Sequence, residues 1–188
     1  MEVEVNAEAK DKRLNRLVAI TVVVLSVFMG LGNVKDGNIV QAMAQAKADS
    51  VDRWGEYQAT RTKTHIAETA RSEIELIATT PSSAKRAAET LAKIDANIAK
   101  YRAEAPKLAK QAQGFADQYD ALNVHDDQFD ASEAMIATAI SLAAVAALTE
   151  GAWLLYVAWA FGLFGLFMGV CGFAGWGFHP DILSNFLG

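Results

Sequence analysis

The last 78 residues of this 188-residue chain contain no lysine or arginine, because every basic residue lies between Lys10 and Lys110. From Ala134 onward only Glu150 and Asp181 carry a formal charge. A soluble domain of this length needs far more charge to stay in solution, whereas lipid-embedded helices tolerate very little. The charge distribution therefore predicts that the C-terminal part of the chain lies in a membrane.

Three apolar runs are long enough to cross a bilayer as helices. The first holds ~18 residues, or ~27 Å of helix, which just spans the hydrocarbon core. The second is short and begins in an acidic segment, and the third is long enough to span with tilt. We expect the last two runs to form an antiparallel hairpin, since only a tight turn around Glu150 separates them. The polar arm, the three spans and the C-terminal tail are predicted at residues 1–16, 17–34, 131–149, 151–178 and 179–188.

Four basic residues between Lys10 and Arg16 precede the first span. The same pattern fits a signal peptide, but the apolar run is long for a signal-peptide core, so we favour an uncleaved anchor. An excess of basic residues predicts a cytoplasmic N-terminus. With three spans, the segment between the first two spans then lies on the opposite side, which in a bacterium is the periplasm.

The segment 35–130 is rich in helix-forming residues and mixed in charge, and its one clear interruption is at Pro81. It is predicted to fold as two long antiparallel helices with a turn near residues 80–83. Apolar residues of the second helix recur at a strict 3-4 spacing, which is typical of a coiled-coil seam. These seam residues are Ala84, Ala87, Leu91, Ile94, Ile98, Tyr101, Ala105, Leu108, Ala112, Phe115, Tyr119 and Leu122.

The first helix of this predicted hairpin has a weaker pattern. Ala67, Ala70, Ile74 and Ile77 keep the spacing, as do Trp54 and Tyr57, whereas Arg53, Thr60 and Arg61 interrupt it. A seam made largely of alanine is marginal for two helices alone, which leads to the hypothesis of a homo-oligomer. Trp54 and Tyr57 have two interpretations, as core residues or as a docking site for a membrane-protein partner.

Glycines recur along one face of the third span, at Gly162, Gly165, Gly169 and Gly172. Helices in lipid associate through close backbone approach, which glycine permits. The pattern predicts a packing face, directed either at the other spans or at a neighbouring subunit.

An acidic cluster precedes the second span, where Asp126, Asp130 and Glu133 share one helix face beside His125. Carboxylates and a histidine are candidate ligands for a divalent cation. The favoured interpretation is instead that acidic residues are stabilised near the start of a helical span by the helix dipole. In a ring of subunits the same residues would form an acidic vestibule on a cation pathway.

The sequence contains no catalytic triad, phosphate-binding loop or spaced metal motif, so we expect neither an enzyme nor a bound cofactor. A net charge of −5 argues against a nucleic-acid partner. The lone Cys171 lies in the third apolar run and is expected to pack there as a small side chain.

The segment from Val34 to Tyr57 resembles a family of small bacterial inner-membrane proteins that is described only as a domain of unknown function. The shared stretch reads Val-Lys-Asp-Gly-Asn-Ile-Val-Gln-Ala-Met from Val34 and continues to Trp54 and Tyr57. The order of anchor, alanine-rich helices and apolar C-terminal hairpin is similar too. The resemblance implies a bacterial source and a membrane location, with no catalytic residue.

The sequence as a whole predicts an all-α integral membrane protein with three transmembrane helices and a long antiparallel coiled-coil hairpin. The preferred function is a non-enzymatic, homo-oligomeric scaffold among membrane lipids. Two alternatives stay open: an ion-conducting assembly, in which Thr21, Ser26 and Gly30 line the pore, and an accessory subunit of a larger membrane complex.

Overall fold

The computed structural model describes residues 2–78 and 81–178, with side chains for 12–78 and 84–178. These residues form three helices and no strand: α1 (Glu2–Ile77), α2 (Pro81–Leu148) and α3 (Ala152–Ala174). The predicted all-helical class is confirmed, and each helix is long and apolar enough to cross a membrane. The predicted tail 179–188 lies outside the described residues, as do Thr79 and, of the predicted turn 80–83, Thr80.

The first two helices are much longer than the predicted segments. α1 continues from the first apolar run into the alanine-rich segment, because Lys35, Asp36 and Gly37 between them are helical as well. α2 begins at Pro81, where the missing N–H costs nothing in a first helical turn. It also contains Pro106, whose ring removes one backbone hydrogen bond without ending the helix.

The chain divides into two compact units, which we call the bundle and the hairpin. The bundle comprises Met1–Met43 with Asp120–Gly188, and the hairpin comprises Ala44–Tyr119. Both α1 and α2 contribute to each unit. The hairpin is therefore shorter at both ends than the predicted segment 35–130.

In the bundle, α2 packs antiparallel to both α1 and α3. Its core brings Leu25 of α1 against Ile136 and Ala139 of α2, while Val18 packs in a second cluster with Ala143 and other small side chains. The turn between α2 and α3 is tight, because the Gly151 N–H donates to the Ala146 carbonyl at 3.1 Å. α3 ends where Gly175 adopts a left-handed conformation with φ 68°, so the last four residues of the predicted third span are not helical.

In the hairpin, α1 and α2 run antiparallel. The Ser50 hydroxyl donates to the Ala112 carbonyl at 3.0 Å, and Arg71 pairs with Asp95 at 2.8 Å. Most of the α2 residues with the predicted 3-4 spacing turn inward, whereas Ala84, the first of them, is exposed. Those that are buried or half-buried are Ala87, Leu91, Ile94, Ile98, Tyr101, Ala105, Leu108, Ala112, Phe115 and Tyr119.

The inward row of α1 corrects the sequence interpretation. Thr60, which was expected to interrupt the row, is buried, and so is Thr64, whose hydroxyl donates to the Thr60 carbonyl at 2.8 Å. Trp54 and Ile77, which were placed in the row, are 37% and 72% exposed. The apolar pattern of α1 was misleading because hydroxyl groups that bond their own helix can occupy an interface at little cost.

Candidate functional site

The densest polar site of the described residues lies in the bundle, where α1 meets the acidic segment of α2. Asp36 of α1 lies against Asp126, close enough for their carboxyl groups to hydrogen-bond. Asp130 and Glu133 follow on α2 and add their charges to the same site. We call these four residues the carboxyl cluster.

Sequence reasoning found the three α2 members of the carboxyl cluster and missed Asp36. The sequence did contain a signal that could have revealed Asp36. Asp36 lies just after the first apolar run, and Asp130 lies just before the second. Antiparallel packing brings these two ends to the same level, since a Cβ built at Gly32 of α1 would lie 3.6 Å from the Phe129 ring. To pair Asp36 with Asp130 from the sequence, one would have had to predict that α1 packs directly against α2.

Burial and neighbouring charge favour a proton on Asp36 at the centre of the carboxyl cluster. Oδ1 of Asp36 is buried and receives no hydrogen bond from any donor among the described residues. Two carboxyl groups can share a hydrogen bond only when one of them is protonated. Burial raises the pKa of Asp36 to about 6, with further contributions from the charge of Asp126, the hydrogen bond to it, and the charges of Asp130 and Glu133.

Asp126 is the partner that keeps its charge. Burial raises the pKa of Asp126 as well, and the charge of Asp127 acts in the same direction, but the hydrogen bond from Asp36 opposes this rise. The chemistry of the pair is therefore to hold one proton between α1 and α2. In the part of the chain that the structure describes, no three His, Cys, Asp or Glu side chains are grouped to hold a metal ion.

Gln128 is a second polar feature that the sequence did not reveal. Its side chain is fully buried, and its amide nitrogen donates to the carbonyls of Trp176, at 2.8 Å, and Phe178. Its amide oxygen lies 3.0 Å from Nδ1 of His125. Gln128 thus fastens the chain beyond α3 to α2 by donating to two carbonyls of that non-helical segment.

The glycine face of α3 packs within the chain, against the other two helices of the bundle. A Cβ at Gly165 would lie 3.0 Å from the Ser132 backbone carbonyl, and one at Gly169 would lie 2.5 Å from the Phe28 ring. Gly162 faces Leu25 and Gly172 faces Phe129. Of the two predicted directions, towards the other spans or towards another subunit, these contacts show the first.

Trp54 and Tyr57 stack edge to face, with ring centroids 5.5 Å apart. Tyr57 also lines an open cavity of about 540 Å³ in the hairpin, together with Arg61, His65 and Arg102. Trp54 does not line this cavity. The two aromatic residues thus differ in surroundings, and the exposed one, Trp54, is the one that could contact a partner.

The residues proposed for a pore are not brought together. Ser26 and Gly30 are exposed on α1, while Thr21 turns towards α3 and accepts a hydrogen bond from Nε1 of Trp159 at 2.9 Å. The α2 hydroxyls Thr138 and Ser141 donate to carbonyls of their own helix.

Comparison with known proteins gives one family. The family described as Domain of unknown function (DUF4337) matches residues 14–175, which includes most of all three helices. No curated protein and no solved structure matches the chain.

Proposed function

This chain belongs to the DUF4337 family, and from that premise and the structure we propose that it is a non-enzymatic bacterial inner-membrane scaffold. Its three helices cross the membrane through the bundle. Its hairpin is a coiled coil that joins copies of the chain to one another. The first part of this proposal rests on the exterior of the bundle, and the second on the exterior of the hairpin.

The exterior of the bundle supports a position in lipid. Large apolar side chains point outward from α1 and α3, whereas Gln128 and Ser132 are buried inside. Water does not favour that arrangement, because exposed apolar surface is costly there, but lipid does. The outward apolar residues of these two helices are Ile20, Val23, Val24, Val27, Leu31, Leu163, Phe164, Phe167 and Val170.

The exterior of the hairpin supports self-association. On α1, an apolar stripe lies opposite the row that packs on α2, and it consists of Val51, Trp54, Ile66, Leu76 and Ile77, all exposed. The stripe extends over ~39 Å at 1.5 Å per residue, which is long enough for a second helix interface. A second copy of the chain offers the same apolar stripe, as symmetric dimers require.

The mass of the detergent-solubilised protein tests this self-association. We expect an oligomer for the natural chain and a monomer for the double variant Val51→Glu with Ile66→Glu, because four or more carboxylates would meet in the interface. Ala96→Glu with Ala103→Glu adds the same charge to exposed positions of α2 and should leave the mass unchanged. A natural chain that is monomeric at micromolar concentration contradicts the proposal. Crosslinking to a different protein in native membranes would indicate an accessory subunit instead.

The orientation that we propose places the N-terminus in the cytoplasm and the hairpin in the periplasm. Cysteines introduced as Asn15→Cys and Lys85→Cys test it, in a Cys171→Ala background. In intact cells a membrane-impermeant maleimide should label the cysteine at position 85 and spare the one at position 15. The reverse labelling pattern would overturn the orientation while leaving the spans in place.

An ion-conducting assembly is the second candidate, and one observation favours it. Asp36 lies against the three acidic residues of α2, so the carboxyl cluster gathers four carboxyl groups, and it gains a further negative charge when Asp36 loses its proton above about pH 6. In planar bilayers we would expect a cation conductance that Asp130→Asn with Glu133→Gln abolishes. Absence of conductance from the purified oligomer would eliminate this candidate.

A further inference from the structure

A groove runs between α1 and α3 on the surface of the bundle. It has a volume of about 390 Å³, and its walls are almost entirely aliphatic. The only polar groups that line it, the Thr21 hydroxyl and the Trp159 indole N–H, are bonded to each other at 2.9 Å. The lining residues are Leu17, Ile20, Thr21, Val24, Leu25, Trp159, Gly162, Leu163 and Leu166.

Two arginines stand at one end of this groove. Arg13 lies one helical turn before Leu17, and Arg16 lies one turn before Ile20, so both continue the rows of α1 that form the groove wall. Both are exposed, and neither makes an ion pair with another described residue. The site thus combines an apolar channel with a cationic end.

We propose that this groove holds one acyl chain of an anionic glycerophospholipid, whose phosphate is bound by Arg13 and Arg16. The guanidinium group binds phosphate with two parallel hydrogen bonds, and an aliphatic groove with no free polar group suits a hydrocarbon chain. Gly162 lines the groove as well, beside Leu25 of α1. This assignment rests on the proposed membrane insertion of the bundle.

The positive charge of the two arginines favours an anionic lipid over other occupants of the groove. A helix from a second copy of the chain would need an uncharged surface along the whole groove, and the arginines would then face apolar residues. A zwitterionic lipid would fill the aliphatic part equally well but would gain less from the two arginines. The combination therefore favours a lipid with net negative charge.

Trp159 reports directly on the groove, because it is a lining residue and can be made the only tryptophan. The full-length variant Trp54→Phe, Trp153→Phe, Trp176→Phe would be placed in phosphatidylcholine vesicles. Each preparation would contain the same small fraction of either brominated phosphatidylglycerol or brominated phosphatidylcholine. Bromine quenches indole fluorescence on contact, so we expect on the order of fivefold preferential quenching by the anionic lipid.

Two variants and one control separate the parts of the site. Arg13→Gln with Arg16→Gln should remove the preference for the anionic lipid while quenching by both lipids persists. Val24→Phe should fill the groove and reduce quenching by both. Val23→Phe enlarges a neighbouring exposed side chain that does not line the groove, and it should leave the preference unchanged.

Three results would overturn the assignment. Equal quenching by the two lipids in the unmodified groove would show ordinary boundary lipid only. No quenching by either, in protein that floats with the vesicles, would show that protein covers the groove. Protein that fails to float with vesicles at all would refute the membrane insertion itself, and flotation therefore distinguishes the failure of the two proposals.

Discussion

The bundle and the hairpin share the helices α1 and α2, yet they differ in which side chains face outward. In the bundle, Val23 and Leu163 are exposed while Gln128 and Ser132 are buried. In the hairpin, charged residues cover much of the surface, and the exposed pairs Arg71–Asp95 and Arg102–Glu68 link α1 to α2. One pair of helices thus has an apolar exterior along one stretch and a largely polar exterior along the other.

The contrast extends to how each interface is packed. The bundle interface depends on backbone approach at glycine, with ring contacts such as Phe28 on Phe173 and Phe129 on Phe173. The hairpin interface is lined mainly by alanine and hydroxyl residues such as Thr60 and Thr64. Helices whose exterior is as apolar as their interface gain little from the hydrophobic effect when they associate. Close contact then has to supply the attraction, which explains the tighter fit in the bundle.

The largest expected effect is at the closest approach in the bundle. Gly165→Ala places a methyl group 3.0 Å from the Ser132 carbonyl and 2.8 Å from the Ile136 side chain. Since the first of these neighbours is backbone, the helices have to separate, at a cost of about 2–3 kcal/mol. Unfolding in mixed detergent micelles measures the change in free energy.

Gly30→Ala is the control for that substitution, since nothing lies within 4 Å of a Cβ built at Gly30. It should leave the free energy of unfolding unchanged or raise it by about 0.5–1 kcal/mol through helix propensity. If both substitutions had the same effect, close packing would not distinguish the two glycines, and the contrast between bundle and hairpin would lose its physical basis.

Gln128→Met should give the next largest effect. The substitution keeps the approximate shape of the side chain but removes the hydrogen bonds to the carbonyls of Trp176 and Phe178. Buried acceptors left unpaired cost about 1–3 kcal/mol. Hydrogen exchange should show faster exchange around Trp176 with little change in the hairpin. Equal loss of protection in both units would contradict this local role.

Much of the fold could be predicted from sequence because it depends on patterns that a single chain displays. The absence of basic residues after Lys110 indicated the apolar helices, and the strict spacing from Leu91 to Phe115 identified the inward face of α2. The α1 row was predicted less well, since Thr60 and Thr64 look polar in sequence but are buried, and the Thr64 hydroxyl bonds its own helix. The continuity of α1 through Asp36 was missed because a change in composition was taken for a boundary.

The candidate site was only half predictable for a related reason. Asp126, Asp130 and Glu133 are neighbours in sequence, so their spacing alone placed them on one face. Asp36 and Gln128 have their roles only through tertiary contacts, with Asp126 and with the chain beyond α3. No local pattern encodes such contacts.

The carboxyl cluster should make the bundle more stable in mild acid. Because the folded-state pKa of Asp36 is raised to about 6, its proton stabilises the folded state below that pH, and this stabilisation is lost as pH rises through about 6. Asp36→Asn supplies a permanent N–H donor to Asp126. It should raise the free energy of unfolding at pH 7.5 by about 1 kcal/mol, after allowance for solvent screening.

Thermal unfolding followed by circular dichroism between pH 4 and 8 measures both parts of this prediction. The natural chain should lose stability as pH rises from about 4 to about 6, between the ordinary pKa of an aspartate and the raised pKa of Asp36, and Asp36→Asn should lose much less. The facing groups Asp126, Asp127, Asp130 and Glu133 are present in both proteins, so the difference isolates Asp36. Asp52→Asn, exposed on the same helix within the hairpin, should keep the natural pH profile. An unchanged profile in Asp36→Asn would show that the shared proton does not contribute.

The smallest effect is expected inside the hairpin, where polar residues replace close packing. Thr64→Val removes a hydroxyl whose acceptor, the Thr60 carbonyl, also receives the helical N–H of residue 64, so no group is left unpaired. The added methyl contact should stabilise the hairpin by about 0.5 kcal/mol. Hydrogen exchange of residues within 44–119 should slow slightly. Slower exchange is the opposite of what Gly165→Ala should cause in the bundle, because one interface has room to gain contacts and the other has none. Destabilisation by Thr64→Val would instead mean that the hairpin is as closely fitted as the bundle.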